Sequence, residues 1–263
     1  MVAEDVLFLY CRTIQVGRIN GDFMSFSLSI SLDRDAIRGD FEKNGYVQVK
    51  DVLVSVDAQR IYASLLGQTP WNLVFTDRGK HIDMTEATLG EMDQQQVVQL
   101  QQAIYAQAQN SFQYCYNNYP IYDAFKAGEN QGHPLHDFYE WLNGDNFLEF
   151  ARAATGFDDI TFLDAQATRY KPGHFLTTHD DRAERKNRRA AYIFGFTPDW
   201  PADWGGFLQL LDADDNIRFG IRPGFNTLNI LAVPQKHSVG LVAPFAGGMR
   251  MSVTGWLRYG DPE

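Results

Sequence analysis

From Ile160 to Arg258 the chain breaks into short apolar runs separated by turn residues, and few folds accept that spacing. The runs are 160–170, 174–179, 189–196, 206–211, 216–220, 225–231, 237–243 and 249–258. Segments of this length and regularity predict antiparallel strands folded into a sandwich or jelly roll. Asp212-Ala-Asp-Asp-Asn216 separates two of them and is turn chemistry. It lacks the Gly and the closing Glu of a calcium loop, which argues against that ion.

The first half reads differently. Ser31–Lys43 is predicted as a capped helix, with Ala36, Ile37 and Phe41 at helical spacing. Gly45–Lys50 alternates like a strand, Val56–Leu66 is helical, and Trp71–Thr76 is a short aromatic strand. Asp93–Tyr116 is predicted as the longest helix, with Val97, Leu100, Ile104 and Ala108 as its buried stripe. Phe138–Asn143 and Phe147–Ala154 continue the helical pattern. Residues 1–24 match neither period, and Met24 is a candidate alternative start. The expected organisation is a leader over 1–24 and one domain over 25–263, with helical support to 158 and a β-core from 159.

Composition removes several function classes. No apolar run reaches the length of a membrane span, and the first residues lack the positive start of a secretory signal. Cys11 and Cys115 are too few and too far apart for a disulfide framework, which points to the cytoplasm. A net charge of −10 disfavours binding to nucleic-acid backbones. The local exception is Arg182-Ala-Glu-Arg-Lys-Asn-Arg-Arg189. It reads either as a solvated hairpin loop or as a positive lip drawing an acidic or RNA-associated substrate.

That basic stretch directly follows the residues that carry chemistry. His179 and Asp181 are two positions apart, so on a strand they would share a face. His-x-Asp alone is as readily a structural pair. His237 follows in a later strand-like run, and Arg250 in another. Two histidines and one carboxylate form the facial triad that holds non-haem Fe(II), with positions left open for a cosubstrate and O₂. The other histidines read as structural. His133 and His136 have helical spacing but no further ligand nearby, and His174 would face away from His179 on a continuous strand. Asp180 should point away from the ion. Arg222 sits at a Pro-Gly turn and reads as a surface residue, while Trp71 and Phe75 fit core packing better than a substrate cleft.

Residues 160–258 resemble the Fe(II)- and 2-oxoglutarate-dependent dioxygenases, in the prolyl hydroxylase group and nearest its ribosomal prolyl hydroxylase branch. The likeness rests on Tyr170, His179-Asp180-Asp181, Arg188-Arg189-Ala-Ala-Tyr-Ile and Pro198-Asp-Trp200. It continues through Trp204-Gly-Gly-Phe-Leu-Gln-Leu210, Asn226-Thr-Leu-Asn-Ile-Leu231, His237-Ser-Val and Arg250-Met-Ser-Val-Thr-Gly-Trp256. Residues before 150 share only Gly45-Tyr-Val ahead of a helix.

The resemblance implies a mostly β fold with supporting helices (α+β) around a double-stranded β-helix core of the jelly-roll or cupin type. It implies His179, Asp181 and His237 as iron ligands, and Arg250 as the bidentate partner of the distal carboxylate of 2-oxoglutarate. Tyr170 is then the tyrosine facing the cosubstrate, and Gly205 and Gly206 the pair opening a core strand. The family's second tyrosine is replaced by Gly195, which leaves its role to Tyr192, Thr254 or water. The cofactors implied are Fe(II), 2-oxoglutarate and O₂, with ascorbate as an accessory reductant, and the products are succinate and CO₂. The partner implied is a protein or peptide whose proline is hydroxylated, such as a ribosomal protein or translation factor. No specific nucleic-acid binding and no membrane association are expected. The competing readings are hydroxylation of a free amino acid or small metabolite, and a non-catalytic metal or oxoacid sensor.

Overall fold

The computed structural model describes residues 25–183 and 186–261. The leader, with Cys11 and Met24, and Arg185 of the basic stretch lie outside them.

The helices come first and are built by local signals. Helix α1 (Arg34–Asn44) is capped by Asp33, whose carboxylate accepts from the Ala36 amide, so the cap is two residues later than Ser31. It ends at Gly45 with φ 71°, the left-handed conformation glycine adopts without strain. Helices α2 (Ser55–Gly67), α3 (Glu86–Gly90) and α4 (Gln94–Ala108) follow, then α5 (Ile121–Ala127), α6 (Pro134–Leu142) and α7 (Asp145–Thr155). His133 is the side-chain cap of α6 and His136 bonds Tyr119 Oη at 2.9 Å, so this histidine pair is structural.

Thirteen strands are present among the described residues. They are β1 (Tyr46–Lys50), β2 (Asn72–Asp77), β3 (Lys80–Thr85), β4 (Tyr114–Tyr119), β5 (Ile160–Leu163), β6 (Gln166–Tyr170) and β7 (Phe175–His179). The rest are β8 (Arg188–Phe196), β9 (Leu208–Leu211), β10 (Ile217–Ile221), β11 (Phe225–Ala232), β12 (His237–Val239) and β13 (Arg250–Tyr259). They join in the order β1-β11-β8-β13-β6-β4-β7-β12-β9-β10, with β2 against β3 and β4, and β5 against β13. Every pairing is antiparallel, and the sheet curls into the jelly-roll core expected of the second half.

One face of the curled sheet packs on the helices. Phe138, Phe147, Phe150, Leu65 and Ile121 from the helices meet Tyr192, Phe194, Phe196, Leu228 and Val253 from the strands in the main core. Most of these side chains are fully buried, each worth about 1.5–3 kcal/mol of transfer free energy. The opposite, concave face is left to form the cavity.

Two expectations fail here. The helix predicted over Asp93–Tyr116 stops at Ala108, and Tyr114–Tyr119 is a central strand between β6 and β7. Of its expected stripe only Ile104 is buried, and Val97 is exposed, because α4 covers just one corner of the sheet. The run 160–170 is two strands, split where Asp164 turns inward to accept from the Trp256 amide.

Candidate metal centre and its cavity

Strand pairing brings the two histidines together. His237 of β12 sits directly opposite His179 of β7, and their ring centroids are 4.2 Å apart. Each ring is oriented by a backbone carbonyl: His179 Nδ1 bonds Thr177 O at 3.0 Å and His237 Nδ1 bonds Gln235 O at 2.7 Å. A carbonyl only accepts, so both Nδ1 atoms carry the proton and both Nε2 lone pairs face the centre.

Asp181 arrives by a different route from the one expected. Strand β7 ends at His179, and Asp181 has φ 61°, so strand alternation does not place it. The left-handed turn carries its carboxylate back to the rings: Oδ1 is 3.5 Å from His179 Nε2 and Oδ2 is 3.4 Å from His237 Nε2. Arg188 Nη1 donates to the Asp181 carbonyl at 2.9 Å and holds that turn, while its guanidinium stacks 3.4 Å over the Trp256 ring. Asp180, between the ligands, is taken up by Arg182.

This donor set suits a divalent metal. One ligand atom from each of His179, Asp181 and His237 lies within 4.8 Å of the others. Cis ligands on an ion with bonds of about 2.1 Å would be roughly 3 Å apart, so a small contraction closes the triad. Burial, and then the neighbouring His237, pull the His179 pKa below its ordinary value, which keeps the imidazole neutral and able to ligate.

The three residues line a cavity of about 720 Å³ that also holds Arg250 in its wall. Arg250 is 6% exposed and donates from Nη1 to Gly206 O at 3.0 Å. Its guanidinium lies 5.0 Å from the centroid of the Tyr170 ring. Among the described residues no carboxylate comes within ion-pair distance of it. Burial lowers its pKa, opposed by Tyr170, as expected of a cation taken out of water without a counter-charge.

Gly205 and Gly206 allow the loop before β9 to lie close against Leu241 and Val242. A Cβ on Gly205 would come 2.3 Å from Leu241 O, and both residues have positive φ.

Of the residues proposed for the cosubstrate, Tyr170 packs against Arg250 and Thr254 lines the cavity, its Oγ1 donating to Tyr192 O at 2.7 Å. Tyr192 is a correction. It alternates with the inward-facing Ala191 and Ile193 on β8, so its ring enters the helix-facing core and its hydroxyl donates to Asp164 O at 2.8 Å. At Gly195, the space a side chain would take is filled from the next strand: a Cβ there would lie 2.5 Å from Thr227 Oγ1. Tyr114, Tyr116 and Asn118 of β4 line the cavity; the first two were missed because the helix predicted over Asp93–Tyr116 takes them in, and Asn118 lies just beyond it in a stretch given no element. The alternation of Phe112, Tyr114 and Tyr116 with Gln113, Cys115 and Asn117 after Asn110-Ser111 was the available signal.

Residues 165–258 match the family model of the 2OG-Fe(II) oxygenase superfamily. The chain is similar to prolyl 3-hydroxylase OGFOD1 of Xenopus laevis, 31% identical over 128 residues that make 46% of this chain and 23% of that protein. The Mus musculus counterpart is 29% identical, again over 46% of this chain, and covers 21% of its own length. The matched stretch thus spans less than a quarter of those relatives. Among solved structures, a Pseudomonas putida prolyl-4-hydroxylase aligns with TM-score 0.55 and 16% identity over 87% of this chain and all of its own. A Trichoplax adhaerens prolyl hydroxylase, in complex with a hypoxia-inducible-factor peptide, aligns with TM-score 0.56 and 16% identity over 86% of this chain and 89% of its own. At those identities the shared property is the fold. Among the described residues no helix is long and apolar enough to cross a membrane.

Proposed function

We propose that this chain, whose residues 165–258 form a domain of the 2OG-Fe(II) oxygenase superfamily, is a 2-oxoglutarate-dependent dioxygenase acting on a prolyl residue of a protein or peptide. The catalytic domain we assign is the single unit 25–263, working in the cytoplasm. His179, Asp181 and His237 would hold Fe(II), and Arg250 would hold the distal carboxylate of 2-oxoglutarate. The metal, when bound with its cosubstrate, supplies O₂ activation and release of succinate and CO₂, leaving an oxidant for an unactivated C–H. Ascorbate is assigned only as an accessory reductant.

The observation that carries this reading is Arg250: a buried guanidinium with no carboxylate partner among the described residues, in the wall of the cavity that holds the His-Asp-His cluster. A buried cation without an anion is costly, so an anionic ligand is the economical explanation of its presence. The planar fork matches a carboxylate with two parallel hydrogen bonds. The chain's own work is then positional. Thr177 and Gln235 carbonyls set the ring tautomers, Arg188 fixes the Asp181 turn, and Tyr170 supports the guanidinium.

A protein substrate is supported by the prolyl hydroxylases among the similar proteins, one of them in complex with a peptide, and by a cavity larger than a five-carbon diacid needs. A component of the translation apparatus is the class we favour, from the ribosomal branch of the family resemblance. The test is succinate formation by purified protein with Fe(II) and 2-oxoglutarate, comparing proline-containing peptides with a panel of free amino acids and metabolites. Peptide-dependent succinate is expected; turnover confined to the metabolites would replace the substrate class, and no succinate with any would reject the enzyme.

A further inference from the structure

One wall of the cavity is built of aromatic rings at near-constant spacing. Phe112, Tyr114 and Tyr116 alternate along the entry to β4 and along the strand itself, so they share the concave face. Their centroids follow at 5.7 Å and 5.6 Å, and Tyr170 continues the series at 5.0 Å beside Arg250. The outer member is Phe112, which is 49% exposed and lies 5.6 Å from the His179 ring. A phenyl ring left in water at the rim of a cavity, beside a metal-ligand candidate, marks a contact surface rather than a core position.

The wall offers ring faces and few free polar groups. The Tyr114 hydroxyl is already engaged by His81 Nδ1 at 2.6 Å, across the β2–β3 hairpin. The charges at the mouth are likewise satisfied internally: Arg182 pairs with Asp180, and Lys236 with Asp215. The aromatic wall itself therefore points to recognition through apolar ring faces. Proline-containing segments dock on aromatic-lined grooves because their backbone is already extended and their rings pack on flat faces.

We propose that Phe112 is a specificity residue, packing against the peptide residue next to the reacting proline, so that the enzyme selects a proline within an extended apolar segment over the free amino acid. This rests on the prolyl hydroxylase reading above. Phe112 is the exposed member of the lining, whereas Tyr116, Leu176 and Val239 are the more deeply buried residues of the same cavity. A free amino acid reaches those inner residues but has no neighbour to lay on Phe112.

The experiment uses the anaerobic Fe(II)–2-oxoglutarate charge-transfer band, in wild type and Phe112→Ala, with Val98→Ala on exposed α4 as control. Each is titrated with 2-oxoglutarate, then with a ten-residue peptide carrying one central proline flanked by apolar residues, and with free L-proline. The chelate band should saturate equally in all three proteins. The peptide concentration that perturbs it should rise about tenfold or more in Phe112→Ala alone, with any response to L-proline unchanged. Phe112→Leu should restore part of the difference, since a smaller apolar side chain keeps some contact. Equal peptide titrations in wild type and Phe112→Ala would overturn the assignment while leaving the enzyme reading intact. Absence of the band in wild type would remove both.

Discussion

His237 stands directly across the β12–β7 pairing from His179, and both rings turn their Nε2 atoms toward Asp181 because each Nδ1 is spent on a carbonyl two residues earlier. The site is thus made by strand register, and a one-residue slip of β12 would turn His237 out of it. His237→Ala is expected to lower affinity for Fe(II), or for Co(II) as a spectroscopic substitute, by more than a hundredfold. Circular dichroism should remain that of wild type. Retained Co(II) absorption would mean that another residue completes the centre.

Arg250 should show opposite effects on stability and binding. Replacing a buried cation without a counter-charge by Met removes a desolvation cost and keeps most of the apolar contact with Tyr170. The protein without cosubstrate should melt at the same or a higher temperature. Cosubstrate binding should weaken by about 2–5 kcal/mol, a thirtyfold loss at the least. Arg250→Met that melts several degrees lower, yet binds 2-oxoglutarate normally, would make the guanidinium a structural group.

Arg188 acts on the centre through Asp181. Its Nη1 bond to the Asp181 carbonyl stabilises a backbone turn at φ 61°, a conformation that non-glycine residues adopt at some cost. In Arg188→Met the ligand set is complete but the turn is unsupported. Metal affinity is expected to fall about ten- to a hundredfold, as for other groups that orient ligands. Isothermal titration with Mn(II) measures it, and an unchanged constant would leave Arg188 only its stacking on Trp256.

Tyr192→Phe separates the core from the cavity. Its hydroxyl bonds Asp164 O in the helix-facing core, so its loss should cost about 1 kcal/mol in urea unfolding. Saturation by 2-oxoglutarate should not change. A shifted cosubstrate titration would restore Tyr192 to the binding site.

What could be read in the sequence follows a physical division. Short strands between turn residues are local, and the runs after Ile160 emerge close to β5–β13. His179, His237 and Arg250 could be singled out by residue type and order, and the structure brings all three to one cavity. Asp181 was found for an incomplete reason: alternation was invoked, yet a left-handed turn does the work, and nothing local in Asp-Asp-Arg marks that conformation. Tyr192 failed on parity. The facing of a strand depends on which neighbour covers it, and β8 is apolar on both faces. Tyr114–Tyr119 failed on context: the Gln/Ala-rich helix before it extended the pattern, while the strand exists through pairing with β2, β6 and β7. The cavity's aromatic wall depends on that long-range pairing and had no local announcement.

His174 links the same fold to acidity. It precedes β7, away from the cavity lining, with Nδ1 buried and without a partner. Burial is the main cause that lowers its pKa from 6.5 to about 4, with Lys171 and Arg169 adding to the effect against a backbone hydrogen bond. The unfolded chain therefore takes up the proton first as pH falls. Stability present at neutral pH should decline below pH 6.5 and level off near 4, by about 3 kcal/mol for a shift of that size. His133 and His136, whose pKa values burial also lowers, add losses of the same sign. His174→Asn isolates one contribution: urea unfolding at pH 7 and pH 4.5 should show a smaller acid loss in the variant, by about 2 kcal/mol. Parallel losses in variant and wild type would mean that His174 gains the proton without leaving its buried position.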